Sequence, residues 1–149
     1  MKSAEVVTNS TMPLRKRTVL NIMYAQNYVA DKLADVFKAH ELSGEQYNVL
    51  RILRGRKGSP ANMCSIQENM IAKTSNTTRL VDKLLLKGFV TREVCPQNRR
   101  KMEVSITQKG LEILAEIDPL VDAAEADLAA GLTDEDLETL NQLLEKYRK

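Results

Sequence analysis

The fold of this chain is decided by residues 62–110, which read NMCSIQENMIAKTSNTTRLVDKLLLKGFVTREVCPQNRRKMEVSITQKG. A short helical pattern over residues 62–71 opens this stretch, and either Asn62 or Ser65 could cap its start. A longer pattern over residues 74–87 follows after a few residues, and polar side chains lie on its outer face near its start. Two helices joined in this way predict a helix-turn-helix motif.

A predicted β-hairpin completes the stretch. Its first strand covers residues 89–95, a polar loop covers residues 96–100, and the second strand covers residues 101–106. Apolar residues alternate with polar ones in the second strand, as in a strand with one buried face: Met102, Val104 and Ile106. A helix-turn-helix followed by a hairpin with a basic tip is a winged helix. The chain is therefore predicted to be mainly α with a small β-hairpin wing.

Two helical patterns precede the predicted winged-helix motif. Over residues 14–37, apolar side chains cover so much of the helix circumference that the helix must be buried on more than one side. In a small protein, such a helix suggests a subunit interface. The box of residues 43–46, which reads SGEQ, then caps a helix that is expected to stop near Gly55.

Two further helices are predicted after the hairpin. Thr107 can cap the first, in which Pro119 is expected to cause a kink or a break. Thr133 caps the second, and the acidic residues of its first turn suit the helix dipole. The apolar stripe of this last helix, over residues 133–148, suggests that it too is buried against another element.

Charge is unevenly distributed along the 149 residues. The whole chain has a formal net charge of +2, from 22 Lys and Arg against 20 Asp and Glu. Residues 51–101 carry 12 basic residues and 3 acids, a net charge of +9, whereas residues 107–149 carry 4 and 11, a net charge of −7. Because a local field survives when the net charge cancels, the basic middle indicates either an anionic partner or a solvated basic face.

Composition argues against several classes of protein. Aromatic residues make up only 4%, too few for a surface that stacks single-stranded nucleic-acid bases. Two cysteines form no disulfide framework, and His40, the single histidine, leaves no basis for a structural zinc site and little for an enzyme. No apolar run approaches the roughly 20 residues of a membrane-spanning helix, and residues 1–13 lack the apolar core of a signal peptide. A cytoplasmic, non-enzymatic protein without cofactor, metal or membrane contact is expected.

Three short segments carry a more specific signal. Residues 75–84 read SNTTRLVDKL, residues 87–90 read KGFV, and the wing carries Asn98-Arg99-Arg100 followed by ITQKG at residues 106–110. Together with the order of the elements, these segments resemble the MarR family of bacterial transcription regulators over roughly residues 15–148. The family favours Asp where this chain has Asn98. An asparagine can still accept a hydrogen bond in the turn, but it cannot form an ion pair.

The resemblance implies a homodimer that binds double-stranded DNA at a pseudo-palindromic site, as a repressor. Residues 42–107 would form the DNA-binding winged helix. Residues 14–41 and 108–149 would form the helical dimerisation region, and residues 1–13 a flexible tail. Half-sites are expected about one helical turn apart.

The DNA contacts are expected in three places. The start of the second helix of the helix-turn-helix motif should enter the major groove, with Thr74, Ser75, Asn76, Thr78, Arg79 and Lys83 as candidates. The wing would contribute Asn98, Arg99, Arg100 and Lys101. Candidates for further phosphate contacts are Arg54, Arg56, Lys57 and Lys73, although the first three could instead contribute only to the general positive field. Alternatively, Asn76 and Thr78 only solvate the helix end, and Arg79 pairs with Asp82 or another neighbour within its own helix.

Three other interpretations stay open. The resemblance implies a small aromatic ligand that releases DNA and binds near four aromatic residues that could equally be core: Tyr24, Tyr28, Phe37 and Tyr47. Cys95 lies next to basic residues and could act as a redox-sensing thiol, whereas Cys64 is expected to pack in the core. A winged helix that contacts only other proteins is the third alternative, and the basic middle segment argues against it.

Overall fold

The computed structural model describes residues 11–149, so most of the tail predicted for residues 1–13 lies outside the described residues. Six helices and three strands follow one another along this part of the chain. In chain order they are α1 (Leu14–Lys38), α2 (Gly44–Gly55), β1 (Ala61–Asn62), α3 (Met63–Asn69), α4 (Thr77–Leu86), β2 (Val90–Cys95), β3 (Asn98–Ile106), α5 (Gln108–Leu128) and α6 (Asp134–Tyr147).

Helix α2 lies at the centre of the hydrophobic core. Its residues Val49, Leu50 and Leu53 are buried and belong to one continuous apolar cluster. Every other element except α6 also contributes side chains to this cluster: Phe37, Ala61, Ile66, Leu80, Val81, Leu84, Val90, Val104, Leu114 and Ile117. Fully burying one such aliphatic side chain contributes about 1.5–3 kcal/mol. The core therefore fixes the winged helix and the first half of α5 as one unit.

The predicted capping box starts α2 as expected. The Ser43 hydroxyl oxygen accepts a hydrogen bond from the Gln46 backbone N–H at 3.1 Å, and the Gln46 side chain accepts one from the Ser43 backbone N–H at 3.1 Å. At the far end of the motif, Gly88 stops α4 with a φ of 78°, a left-handed conformation that glycine adopts without strain.

Helix α4 begins later than the sequence predicts. It starts at Thr77 rather than Thr74, because Asn76 is the N-cap and its side-chain oxygen accepts a hydrogen bond from the Arg79 N–H at 3.1 Å. An asparagine that caps the helix from residue 76 leaves residues 74–76 outside it. The ambiguity at the start of α3 is resolved in favour of Asn62, whose side-chain oxygen accepts from the Ser65 N–H at 2.8 Å.

The wing is a tighter hairpin than predicted, and it is part of a three-stranded sheet. Strands β2 and β3 are antiparallel and are separated by a turn of two residues, 96–97, instead of the expected loop over 96–100. Strand β1 pairs with the other edge of β3, so the order is β1-β3-β2. The sequence analysis missed β1 because two residues are too short to show a period.

Helix α5 runs through Pro119 without a break. Thr107 caps it as predicted, since its hydroxyl oxygen accepts a hydrogen bond from the Gly110 N–H at 3.0 Å. A proline within a helix lacks the N–H for one backbone bond but can be accommodated by the surrounding turns. Of the two outcomes expected at Pro119, a kink or a break, the structure contains no break, and α5 is a single element of 21 residues.

Candidate nucleic-acid interface

Helix α4 presents a polar, basic outer face because its apolar side chains are mostly directed inward. Thr77, Leu80, Val81 and Leu84 are buried, whereas Thr78, Arg79 and Lys83 are exposed. Among the ion pairs of residues 11–149, none includes Arg79 or Lys83. The alternative pair between Arg79 and Asp82 is therefore not formed within residues 11–149. The Arg79 charge is available to an outside anion.

An ion pair joins α4 to the wing. The Arg92 guanidinium on β2 donates a hydrogen bond to the Asp82 carboxylate on α4 at 2.7 Å. Because Asp82 is occupied in this way, it does not neutralise the cations beside it on the helix. The pair also ties the orientation of the hairpin to that of α4.

The wing tip concentrates positive charge on an irregular stretch of strand. Val94 pairs with Met102 and Cys95 pairs with Asn98, so residues 99–101 lie between two paired positions of β3. All three of these residues, Arg99, Arg100 and Lys101, are exposed. The Asn98 side-chain oxygen accepts a hydrogen bond from the Arg100 N–H at 3.1 Å, so this asparagine does hold the turn.

The loop between α3 and α4 is held by side chains of the two preceding helices. The buried Asn48 of α2 accepts a hydrogen bond from the Ile71 N–H at 2.9 Å. Gln67 of α3 donates to the Lys73 carbonyl and accepts from the Thr77 hydroxyl. Sequence reasoning missed these contacts, since an amide side chain has no periodic signature.

Three predicted residues at this loop lie differently from expectation. The Ser75 hydroxyl is buried and has no hydrogen-bond partner among residues 11–149, so it does not lie on the outer face. Thr74 is exposed but precedes the helix. The Lys73 ammonium donates to the Glu68 carbonyl, which keeps it near the end of α3.

The predicted phosphate contacts near the end of α2 fall into two groups. The Arg54 guanidinium donates to the Asp118 carboxylate of α5 at 2.8 Å, so this arginine joins two helices and is not free for DNA. The Arg56 guanidinium donates to the Pro60 carbonyl at 2.8 Å and organises the loop before β1. Lys57 is exposed in that same loop.

The four predicted ligand-site aromatics are divided between core and surface. The rings of Phe37 and Tyr47 stack with centroids 4.3 Å apart, and Phe37 is buried. Burial raises the pKa of the Tyr47 phenol above its ordinary value. Tyr24 and Tyr28 are exposed on α1. Phe37 and Tyr47 therefore take part in core packing.

The two cysteines lie in different environments. Cys64 is exposed near the start of α3, so the prediction that it packs in the core is wrong. Cys95 is half-buried at the end of β2. Across residues 11–149, no group of three or more His, Cys, Asp or Glu side chains is arranged to hold a metal ion.

The two terminal helices leave a large apolar area uncovered within one chain. Helix α6 has no buried residue. Large apolar side chains are exposed on both helices: Leu14, Val19, Met23, Tyr24, Tyr28 and Val29 on α1, and Leu140, Leu143 and Tyr147 on α6. A surface groove between the helices is lined by Ile22, Leu144 and Tyr147.

Within residues 11–149, no helix is both long enough and apolar enough to cross a membrane.

The chain is similar to known proteins both in sequence and in fold. The model of the MarR family matches residues 42–102. An uncharacterized HTH-type transcriptional regulator, YkoM of Bacillus subtilis (strain 168), is 30% identical over 109 residues, which are 73% of this chain and 70% of that protein.

Solved structures share the fold over nearly the whole chain. A MarR transcription factor from Planctomyces limnophilus is 28% identical, with a TM-score of 0.71 over 90% of this chain and 97% of that one. A putative MarR-like regulator from Bacillus cereus ATCC 10987 is 24% identical, with a TM-score of 0.79 over 91% and 97%. A mutant MarR from E. coli complexed with operator DNA is 23% identical, with a TM-score of 0.76 over 85% and 89%. The chain belongs to the MarR family of winged helix-turn-helix transcription regulators.

Proposed function

We propose that this chain represses transcription as a homodimer that binds a pseudo-palindromic site in double-stranded DNA. The observation that carries the proposal is the set of exposed cations on α4 and the wing tip, which no carboxylate of the described chain neutralises. Phosphates attract such cations, and arginine also reads guanine in the major groove. The proposed DNA contacts are Asn76, Thr78, Arg79 and Lys83 at α4, and Asn98, Arg99, Arg100 and Lys101 on the wing, with Lys57 near a phosphate.

The dimer is proposed from the apolar faces of α1 and α6. So many exposed large apolar side chains on two helices are typical of a subunit interface. A second copy of the chain would cover both faces at once. The proposed dimerisation region is therefore residues 14–41 and 108–149, and the proposed compartment is the cytoplasm, where DNA and repressor meet.

Release of DNA by a small aromatic acid is a further part of the proposal. The ion pair between Arg54 and Asp118 joins the winged helix to α5, so a ligand that separates these two helices would change the distance between the two copies of α4. Adding an aromatic carboxylic acid during a DNA-binding titration tests this, and unchanged affinity across a panel of such acids would count against ligand release.

The DNA-binding proposal is tested by a salt titration of two variants that lose the same charge. Arg100→Ala removes a proposed phosphate contact at the wing tip, whereas Lys146→Ala removes a cation from the end of α6. Arg100→Ala should weaken binding to a duplex selected by the unaltered protein and lower the slope of log K against log [salt] by about one. Lys146→Ala should leave the slope unchanged. Equal slopes for both variants would contradict the wing contact, and a footprint without two-fold symmetry would contradict the dimeric site.

A further inference from the structure

The loop that leads into α4 carries an apolar side chain on its outer surface. Ile71 is 82% exposed, although Met70 beside it is only 2% exposed. Single exposed apolar residues are common on protein surfaces, so this exposure alone assigns no role. The position is what distinguishes Ile71, because it lies between the two helices of the helix-turn-helix motif, just before the helix proposed to enter the major groove.

The backbone around Ile71 is fixed from the inside. Its N–H donates to the side-chain oxygen of Asn48, which is itself buried on α2. Two residues further on, the carbonyl of Lys73 accepts a hydrogen bond from Gln67 on α3. Since the amide of Ile71 faces the core, its exposed side chain is held on the outer side of a loop that is anchored at two points.

The surroundings of Ile71 suit DNA better than a protein surface. Residues 70–79 contain two basic residues, Lys73 and Arg79, and no acidic residue. Ala72, Lys73 and Thr74 are exposed beside Ile71, so no extended apolar patch of the kind that marks a protein interface forms along this loop. An isolated apolar side chain in a segment without acidic residues instead suits the surface of a duplex, where methyl groups and sugars lie between phosphates.

We propose that Ile71 contacts an apolar part of the duplex, either the C5-methyl group of a thymine or a deoxyribose, at the edge of the sequence read by α4. This assignment rests on the proposed function. Ile71 would then discriminate by shape, in addition to the charged and polar contacts of α4. Asn48 and Gln67 would be positioning residues that hold the loop against the duplex.

The chain offers a matched control at the far end of α4. Leu86 is 89% exposed at the last position of α4, so Leu86→Ser removes an equally exposed apolar side chain without altering the loop. Ile71→Ser should weaken binding to the selected duplex about fivefold, which is the effect of losing one modest base or sugar contact. Leu86→Ser should stay within about twofold of the unaltered protein, and circular dichroism should show that both variants remain folded.

Two further measurements make the test specific. The salt slope of Ile71→Ser should equal that of the unaltered protein, because no charge is lost. Replacing thymines of the site by uracil, one at a time, removes single methyl groups. If one replacement weakens the unaltered protein but not Ile71→Ser, the contact is a methyl group. If none does so while Ile71→Ser still binds weakly, the contact is a deoxyribose.

The outcomes separate this assignment from the proposed function. If the unaltered protein binds the duplex and Ile71→Ser binds it equally well, the assignment is wrong while the proposed function stands. Equal losses for Ile71→Ser and Leu86→Ser would also overturn it. If the unaltered protein selects no duplex at all, the proposed function fails, and the assignment fails with it.

Discussion

Gly110 shows how closely α5 approaches the hairpin. A Cβ atom on this residue would lie 2.4 Å from the Phe89 carbonyl oxygen and 2.7 Å from the Ile106 Cγ1 atom. The Phe89 oxygen is backbone and also accepts a hydrogen bond from the Thr107 N–H at 3.0 Å, so it cannot move freely. Glycine is therefore required here by space, and it allows α5 to start directly at the base of the wing.

Gly110→Ala should lower the free energy of unfolding by about 1–3 kcal/mol, the usual effect of forcing a methyl group into a packed site. Gly55→Ala is the control, because a Cβ atom at Gly55 has no neighbour within 4 Å. This control should change the stability by less than about 1 kcal/mol. Urea unfolding of the three proteins measures both effects, and equal stabilities would show that the packing at Gly110 relaxes easily.

The contacts of individual side chains are the feature that is hardest to predict from sequence. Arg54 looks like a phosphate ligand in the basic segment, yet its partner Asp118 lies 64 positions away in the acidic segment. Ser75 is predicted to point outward, and the start of α4 at Thr77 removes it from the helical face. Such contacts depend on tertiary packing, which spacing alone does not encode. The exposure of residues 99–101 was predictable, because adjacent charges on a hairpin tip have few other places to lie.

At the scale of elements, the helix-turn-helix and the wing follow from local rules, and the errors occur at boundaries. Apolar periodicity locates α4 but not its first turn, because the capping residue Asn76 decides that point. The short strand β1 is produced by pairing with β3 and not by its own residues. Pro119 in α5 shows the reverse case, in which a residue that usually ends a helix lies within one.

The start of α3 gives an element-scale prediction. Asn62 accepts a hydrogen bond from the Ser65 N–H, whereas Ser65 is the competing cap in the sequence. Asn62→Ala should lower the free energy of unfolding by about 1 kcal/mol, because a helix N–H loses its acceptor. Ser65→Ala should have the smaller effect, as Ser65 is the third residue of α3 and not its cap. The reverse order in thermal or urea unfolding would mean that α3 begins at Ser65.

At the scale of the molecule, the near-zero net charge conceals two regions of opposite sign. The basic region, residues 51–101, contains α4 and most of the wing, and the acidic region, residues 107–149, contains α5 and α6. The acidic region should repel a duplex and so favour approach through the basic region. Composition and sequence order were sufficient to predict this polarity, because each region is continuous along the chain.

The proposed dimer can be tested through α6. Leu143 is exposed on this helix, and Leu143→Glu places a charge on the apolar face without disturbing a buried residue of the single chain. Sedimentation equilibrium should give a dimer mass for the unaltered protein and a lower average mass for Leu143→Glu. DNA affinity should fall with it, because two half-sites would no longer be bound together.

A control for this experiment lies on the same helix. Glu138 is exposed on α6, and Glu138→Gln changes a polar side chain without placing a charge on the apolar face. This variant should keep the dimer mass of the unaltered protein. A dimer mass for Leu143→Glu at micromolar concentration would show that α6 lies outside the interface.

The register shift in the wing has a consequence for how this protein can change. Residues 99–101 have no partner in the register of β2 and β3, whereas Met102 to Ile106 are paired with β2 and contribute Val104 to the core. An insertion or deletion within 99–101 would therefore leave the pairing below it intact and would not turn buried side chains outward. The length of the wing tip can therefore change during evolution while the fold of the paired strands stays constant.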